Sequence, residues 1–364
     1  MRVLMTGGGT GGHIYPAIAI ADKIKEKNPD AEIIFAGTER GLEKTLVPKN
    51  GYDIKFITVS GFDRKNMLKN IKTAFDLAKG MAQSKKLIKD FAPDVVIGTG
   101  GYVCGPVVKA AHAAGAKCYI HESNAYPGMT NKMLEKHVDK TFIGVEKAGD
   151  YFKEKDKLCY VGNPVRKAFF EGTKEEAREY LGIPQDEFVI LSFGGSRGAG
   201  RINDAMKSVL ELVNGVDGVS LYFGTGDVYY DAIIEEIKEK GIELKDNVHV
   251  LRYIDEMDKY LKAADVVVSR AGALTLAEIT ACGKCSILIP SPNVTGNHQY
   301  HNAKAVADAG GAILMEEKNL TDEALAEKIM ELKRNPQVSA EMGENARKCA
   351  FDDSTEVIYR EIFG

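Results

Sequence analysis

The sequence predicts an α/β protein built as two Rossmann-like domains in tandem, each a doubly wound parallel sheet with helices on both faces. Three observations lead there. Short β-branched runs alternate with amphipathic segments of about 10 to 18 residues, the rhythm of strand–helix crossovers. That rhythm breaks once, at Asn163-Pro164, and then restarts. Both stretches also open alike: Val3-Leu4-Met5-Thr6 runs into Gly7–Gly12, and Val189-Ile190-Leu191-Ser192 runs into Phe193-Gly194-Gly195-Ser196-Arg197-Gly198.

Taken in order, the expected strands of the first half are Arg2–Thr6, Glu32–Ala36, Ile54–Val59, Asp94–Thr99, Lys117–His121, Lys140–Val145 and Cys159–Gly162. A residue before proline is pushed toward extended backbone, so Asn163-Pro164 suits an interdomain linker and divides the chain into 1–162 and 163–345. The second half continues with Phe188–Phe193, Val219–Phe223, Val248–Leu251, Asp265–Ser269, Ser286–Pro290 and Ala312–Glu316. Residues 338–363 read as helices with no strand after them. Ligands of open α/β sheets collect at the carboxyl ends of the strands, so two such domains facing each other would enclose a cleft lined by both glycine loops.

At 364 residues the chain is long enough for two domains with their own cores, and 44% hydrophobic with 27% charged residues is the composition of a globular protein. No run approaches the roughly 18 to 20 apolar residues of a spanning helix, and the N-terminus meets glycines too early for a signal peptide; a cytoplasmic location is expected. The six cysteines, 104, 118, 159, 282, 285 and 349, are scattered, which fits reduced thiols. Cys282 and Cys285 form one C-x-x-C, but no second pair or nearby histidine completes a zinc set. The net charge of −4 conceals an asymmetry: residues 1–162 carry +7 and residues 163–364 carry −11. The first half suits an anionic surface and the second does not. No nucleic-acid partner is expected.

Gly7-Gly8-Gly9-Thr10-Gly11-Gly12 contains GxGxxG between a strand and a helix, the form that brings backbone amides to a pyrophosphate. A nicotinamide site also wants an acid at the end of the second strand, and there only Glu39 stands just beyond Phe35-Ala36-Gly37-Thr38. In the second half, Arg270-Ala271-Gly272 turns into Ala273-Leu274-Thr275-Leu276-Ala277-Glu278, with an acid about a turn and a half into a helix. A carboxylate at that depth can accept from both hydroxyls of a ribose; the plainer reading is a favourable anion near a helix N-terminus. Asn297 to Ala303 is either a polar cap or a site that reads sugar hydroxyls.

These motifs together closely resemble the MurG family of bacterial UDP-N-acetylglucosamine transferases, which convert lipid I to lipid II in peptidoglycan synthesis. The resemblance runs end to end, through Gly8 to Pro16, Gly100-Gly101-Tyr102-Val103-Cys104-Gly105-Pro106, His121-Glu122-Ser123-Asn124, Gly162-Asn163-Pro164-Val165-Arg166, Gly194 to Ala199, Arg270 to Glu278 and His298 to Ala303. It implies the GT-B fold, with a last helix, near residues 346–364, packing back on the first domain. It also implies that the first domain binds the lipid-linked acceptor and the second the nucleotide sugar. Carried over by position, Asn124, Arg166, Ser196, Ile254, Ala273, Leu274, Thr275, Leu276, Ala277, Glu278 and Gln299 match the family's UDP-N-acetylglucosamine contacts, and Thr10, Gly11 and Gly12 match its first glycine loop. One departure is His298, where some members have glutamine.

Inverting transfer of N-acetylglucosamine to the 4-hydroxyl of a muramyl sugar needs a base for that hydroxyl and stabilisation of departing UDP. No D-x-D stands in a suitable place, Asp352-Asp353 lying near the C-terminus, so neither metal nor other cofactor is expected. Amides around Ser196, the positive end of the following helix and the guanidinium of Arg166 can meet the pyrophosphate charge instead. His13 is the leading base, against the alternative of a capping histidine, with Glu122 as runner-up. Between Arg64 and Lys89, eight basic residues and one acid interleave with Met67, Leu68, Ile71, Phe75 and Met81. This is either an ordinary core helix or a segment resting on anionic lipid, and a lipid-borne acceptor would place the protein peripherally on the cytoplasmic face of the membrane. The rival readings are a GT-B transferase with a different acceptor and a non-catalytic nucleotide-sugar binding module.

Overall fold

The computed structural model describes residues 1–61 and 67–364. Two compact units divide the chain: Met1–Arg166 together with Asp353–Gly364, and Lys167–Asp352. Among the described residues the first unit holds one parallel sheet of β1 (Arg2–Thr6), β2 (Glu32–Gly37), β3 (Asp53–Phe56), β4 (Val95–Gly98), β5 (Lys117–Glu122), β6 (Lys140–Ile143) and β7 (Leu158–Tyr160), in the order β3-β2-β1-β4-β5-β6-β7. The second unit holds β8 (Phe188–Phe193), β9 (Val219–Gly224), β10 (Val248–Leu251), β11 (Val266–Ser269), β12 (Ser286–Leu288) and β13 (Ile313–Leu314), in the order β10-β9-β8-β11-β12-β13.

The inner strands form where apolar runs are continuous, because helices cover both faces of a parallel sheet, whereas the edge strand β3 alternates as Asp53-Ile54-Lys55-Phe56. In β1, Val3 and Met5 pack with Ile14, Ile18 and Ile24 of the helix Gly11–Lys27. Leu4 points the other way, into a cluster with Val96, Val107, Val108 and Ile120. In the second unit Ile190, Val266 and Val268 share a core with Ile202, Met206 and Val209 of the helix Gly200–Val213.

Strand order positions the loops. In each sheet the strand order reverses once, between β1 and β4 in the first unit and between β8 and β11 in the second. At such a switch point the loops leaving the two strands diverge and open a crevice at the carboxyl ends. Gly7–Thr10 and Thr99–Val103 flank the first, and Gly194–Ala199 and Arg270–Gly272 flank the second.

The chain changes unit later than the Asn163-Pro164 break. Asn163 donates to the Ser123 carbonyl at 3.2 Å, and Val161 and Val165 are buried, so Arg166 still belongs to the first unit. The return is later too. The helix Pro336–Lys348 stays in the second unit, where Ala346 lies so close to Gly311 that a Cβ there would come within 2.8 Å of its backbone. Only Asp353–Gly364 rejoins the first unit. Its helix Ser354–Phe363 buries Ile358 in the first core, pairs Glu356 with Lys23 and Lys27, and accepts a 2.6 Å hydrogen bond from Asn28 at the Tyr359 hydroxyl. The thiols of the C-x-x-C part ways: Cys282 donates to the Phe169 carbonyl and Cys285 lies 3.4 Å from the Met342 sulfur.

Candidate active site

In the first unit the glycine loop after β1 is locked to the loop after β4. The Gly8 amide donates to the Gly100 carbonyl at 3.2 Å, and the Thr99 hydroxyl donates to the His13 carbonyl at 2.6 Å. Gly100 sits at φ +113°, and a Cβ there would fall 2.5 Å from His13 Nδ1, so only glycine lets the imidazole lie against this loop. His13 Nδ1 is 3.1 Å from the Thr99 carbonyl oxygen. Thr10 takes the N-cap position in extended backbone and is exposed, and Gly11 and Gly12 follow as the first half-exposed helical residues, whose amides precede any intrahelical acceptor. Burial pushes the His13 imidazole below its ordinary 6.5, while the charges of Glu122 and Glu43 pull the other way.

Glu122, at the end of β5, is 1% exposed and saturated. One oxygen accepts from the Asn124 amide at 2.9 Å and the Asn124 side chain at 3.1 Å; the other accepts from the Gly128 amide and the Asn131 side chain, both at 2.9 Å. With four donors on two oxygens, this carboxylate shapes the 123–128 loop and aims Asn124, and no lone pair remains well placed for a substrate proton. Beside it, His121 is fully buried, its Nε2 donating to the Gly162 carbonyl at 3.0 Å and its Nδ1 accepting from Ser123, and burial takes it down to about 4.

Arg166 was expected with the donor half but lies in the first unit, its guanidinium 5.0 Å from the centre of the Tyr15 ring, two residues along the helix from His13. The acid past the second strand also differs from expectation. Glu39 is exposed, whereas Glu43 is completely buried beneath the glycine loop and accepts the Gly9 amide at 2.9 Å. The amide that a dinucleotide pyrophosphate would use is therefore taken by an internal carboxylate, which removes the nicotinamide reading of this loop. Glu43, Thr99 and Asn131 went unmarked in the sequence, since nothing local to any of them shows the loop each one meets.

In the second unit Ser196 is half-buried in the loop that leads to the helix Gly200–Val213. Gly198, at φ +78°, allows that loop to press on the Thr225 carbonyl, which a Cβ would strike. Gly272 caps the helix Ala273–Ala281 in extended backbone. That helix buries Ala273, Leu276, Ile279 and Thr280, leaving Leu274, Thr275 and Glu278 together on its open face, with Ala277 beside them. Asn302 ties the neighbouring helix His298–Asp308 to this loop by donating to the Ala271 carbonyl at 3.2 Å, and the Gln299 side chain accepts the Ser291 amide at 2.9 Å. Ile254 is buried, its side chain against Gly224, so what it offers a ligand is its backbone.

The glycosyltransferase family 28 N-terminal domain matches residues 3–143, and the C-terminal domain of the same family matches residues 189–358. This chain belongs to glycosyltransferase family 28. A relative from Acetivibrio thermocellus is 45% identical over 362 residues, covering 100% of this chain and 97% of its own. Another, from Clostridioides difficile, is 45% identical over 365 residues, covering 100% of this chain and 88% of its own. Both are named UDP-N-acetylglucosamine–N-acetylmuramyl-(pentapeptide) pyrophosphoryl-undecaprenol N-acetylglucosamine transferase. The crystal structure of Acinetobacter baumannii MurG superposes with a TM-score of 0.71 at 26% identity, covering 99% of both chains. The family's GT-B fold, with two parallel Rossmann-like sheets, agrees with the two sheets described above.

Proposed function

We propose that this chain transfers N-acetylglucosamine from UDP-N-acetylglucosamine to the 4-hydroxyl of the muramyl sugar of lipid I, with inversion, giving lipid II. The carrying observation is its unbroken likeness to transferases of that one name. The first unit binds the acceptor and the second binds the donor.

His13 is the base. A carbonyl oxygen only accepts, so the proton of the neutral ring sits on Nδ1 toward Thr99 and the Nε2 lone pair is left to take the hydroxyl proton. The imidazolium formed keeps its bond to Thr99 and is favoured by the charges of Glu122 and Glu43. Glu122 acts by holding Asn124 rather than by taking the proton. On the donor side, Glu278, with Leu274 and Thr275 beside it, meets the ribose hydroxyls, Gln299 the sugar, and the backbone of Ile254 the base. Amides near Ser196 receive the charge that develops on departing UDP.

An acceptor on undecaprenyl pyrophosphate stays in the bilayer, so the enzyme is peripheral to the anionic cytoplasmic leaflet. No helix among the described residues is long and apolar enough to cross a membrane. The helix Met67–Phe91 buries Gly80, Ser84 and Ile88, while Phe75 is 74% and Leu77 50% exposed with Lys72 and Lys79 exposed nearby, which supports a lipid-facing side on a helix that also packs on the core. Arg64 and Lys65 of the segment lie outside the described residues, as do the side chains of 67–71.

The test is release of UDP from UDP-N-acetylglucosamine with a soluble lipid I analogue, run beside simple sugar acceptors. Release that needs the analogue supports the reading. Release with another acceptor alone points to a different transferase, and binding without release points to a non-catalytic module.

A further inference from the structure

We propose that Glu43 is a positioning residue of the transfer reaction, fixing the Gly7–Gly12 loop, and with it His13, by accepting the Gly9 amide. The inference rests on His13 being the base.

Glu43 opens the helix Glu43–Lys49 just after β2, and its side chain turns back beneath the loop that follows β1. It is completely buried. Oε2 accepts the Gly9 amide at 2.9 Å, and Oε1 accepts the Thr38 amide at 2.8 Å and the Thr38 hydroxyl at 2.7 Å. Three glycines make room for it: a Cβ on Gly8 would lie 2.6 Å from Oε1, one on Gly37 2.6 Å from Cγ, and one on Gly41 would strike the carboxylate at Oε2. The partners here are two amides and a hydroxyl, so the charge is not there to neutralise a cation.

Burying a carboxylate is costly, and a neutral isostere would avoid that cost if packing were all that mattered. Glutamine does not substitute. Its oxygen could serve Thr38, but its NH₂ would then face the Gly9 N–H, donor against donor. A group that accepts on both sides is required, and a carboxylate supplies it. The loop it holds is short. Gly9 lies four residues before His13, and the His13 and Ile14 amides both return to the Thr10 carbonyl, so a shift at Gly9 is passed to the imidazole. The same negative charge acts on the His13 ring through space, favouring its protonated form.

The experiment compares Glu43→Gln, Glu43→Asp and Thr38→Val in the full chain, measuring kcat and the pH profile with the soluble lipid I analogue, and UDP-N-acetylglucosamine affinity by calorimetry. Glu43→Gln should lower kcat on the order of tenfold, the value of one charge-assisted hydrogen bond. Donor affinity should hold, and the acid limb of kcat/KM should move to lower pH, because removing a negative charge destabilises the imidazolium. Glu43→Asp keeps the charge but cannot span Gly9 and Thr38, so kcat should fall with the acid limb unmoved. Thr38→Val should lower kcat more mildly, also without moving it. Wild-type kcat in Glu43→Gln overturns the proposal. Should that variant fail to fold, wild-type kcat in both of the others overturns it. A fall in kcat for Glu43→Gln with an unmoved acid limb, together with wild-type turnover in His13→Ala, removes the base assignment and leaves the positioning of the loop standing.

Discussion

His13 Nδ1 lies 3.1 Å from the carbonyl oxygen of Thr99, and this one contact decides which nitrogen can work as a base. The Thr99 hydroxyl donates to the His13 carbonyl at 2.6 Å, so the same threonine grips the histidine through backbone and side chain. Thr99 follows β4 and His13 sits in the helix after β1, the two strands between which the strand order reverses. The imidazole proposed as the base is therefore oriented by the topology of the sheet rather than by a neighbour in sequence.

Replacing His13 by alanine should lower kcat by roughly 10²- to 10⁴-fold, the usual loss for a general base, and leave donor affinity nearly intact. Its pKa is lowered from 6.5 by burial, so the imidazole stays unprotonated as pH falls through 6.5 and, if it is the base, the acid limb of kcat/KM should lie below that value. A pH–rate profile with its acid limb above 6.5, or a mutant with most of its kcat, would remove His13 from the role.

His121 gives the fold its own pH dependence. Held neutral near 4 in the folded chain against 6.5 unfolded, it binds a proton first in the unfolded state. Stability from this group is complete above 6.5 and falls as pH drops from 6.5 toward about 4, by at most about 1.4 kcal/mol per pH unit. Urea midpoints measured across that window should decline, and His121→Gln should flatten the decline. An equally steep decline in the mutant would trace the effect to other groups.

Much of this was legible in the chain because parallel strands are buried on both faces and announce themselves as apolar runs: Val3 to Met5, Val95 to Ile97 and Val266 to Val268 all lie within their expected strands. Strand ends were less so. β3 stops at Phe56 rather than Val59 because the Thr58 amide is taken by the Gln83 side chain at 2.7 Å, a partner 25 residues away that no local pattern reveals. The same holds at the site. Glycine motifs and Glu278 stand out as sequence, whereas the buried work of Glu43 at Gly9 and the saturation of Glu122 by Gly128 and Asn131 exist only once the loops have met. Arg166 fell on the other side of the domain division because Asn163, read as a linker, is tied to Ser123.

On the donor side, Glu278 is half-exposed on the same helix face as Leu274 and Thr275. Glu278→Ala should weaken UDP-N-acetylglucosamine binding by about 1.5 to 3 kcal/mol for each charged hydrogen bond lost to the ribose. Calorimetry against UDP and UDP-N-acetylglucosamine should show the same loss for both, since the hydroxyls belong to the shared ribose. Unchanged affinity for both would return Glu278 to the simpler part of an anion near a helix N-terminus.

The membrane prediction turns on one helix face. Lys72, Phe75 and Lys79 recur at three- and four-residue spacing, so they share a side of the helix Met67–Phe91, and all three are exposed. Their side chains offer two different forces. Each lysine near an anionic surface contributes about 1 kcal/mol, which salt screens as the Debye length shrinks from about 10 Å at 0.1 M to about 3 Å at 1 M. Phe75 contributes roughly 1.5 to 3 kcal/mol if its ring enters the acyl boundary, and salt leaves that part alone. Vesicles containing anionic lipid should therefore sediment the protein at low salt. Lys72→Glu with Lys79→Glu should remove most of the salt-dependent part, while Phe75→Ser should weaken binding at every salt concentration, and neither should change UDP-N-acetylglucosamine affinity. The two sets should also separate kinetically, with charge reversal acting on association and the loss of the ring on release. If wild type and both variants sediment alike, this face does not meet the bilayer and the attachment of the first unit must come from another surface.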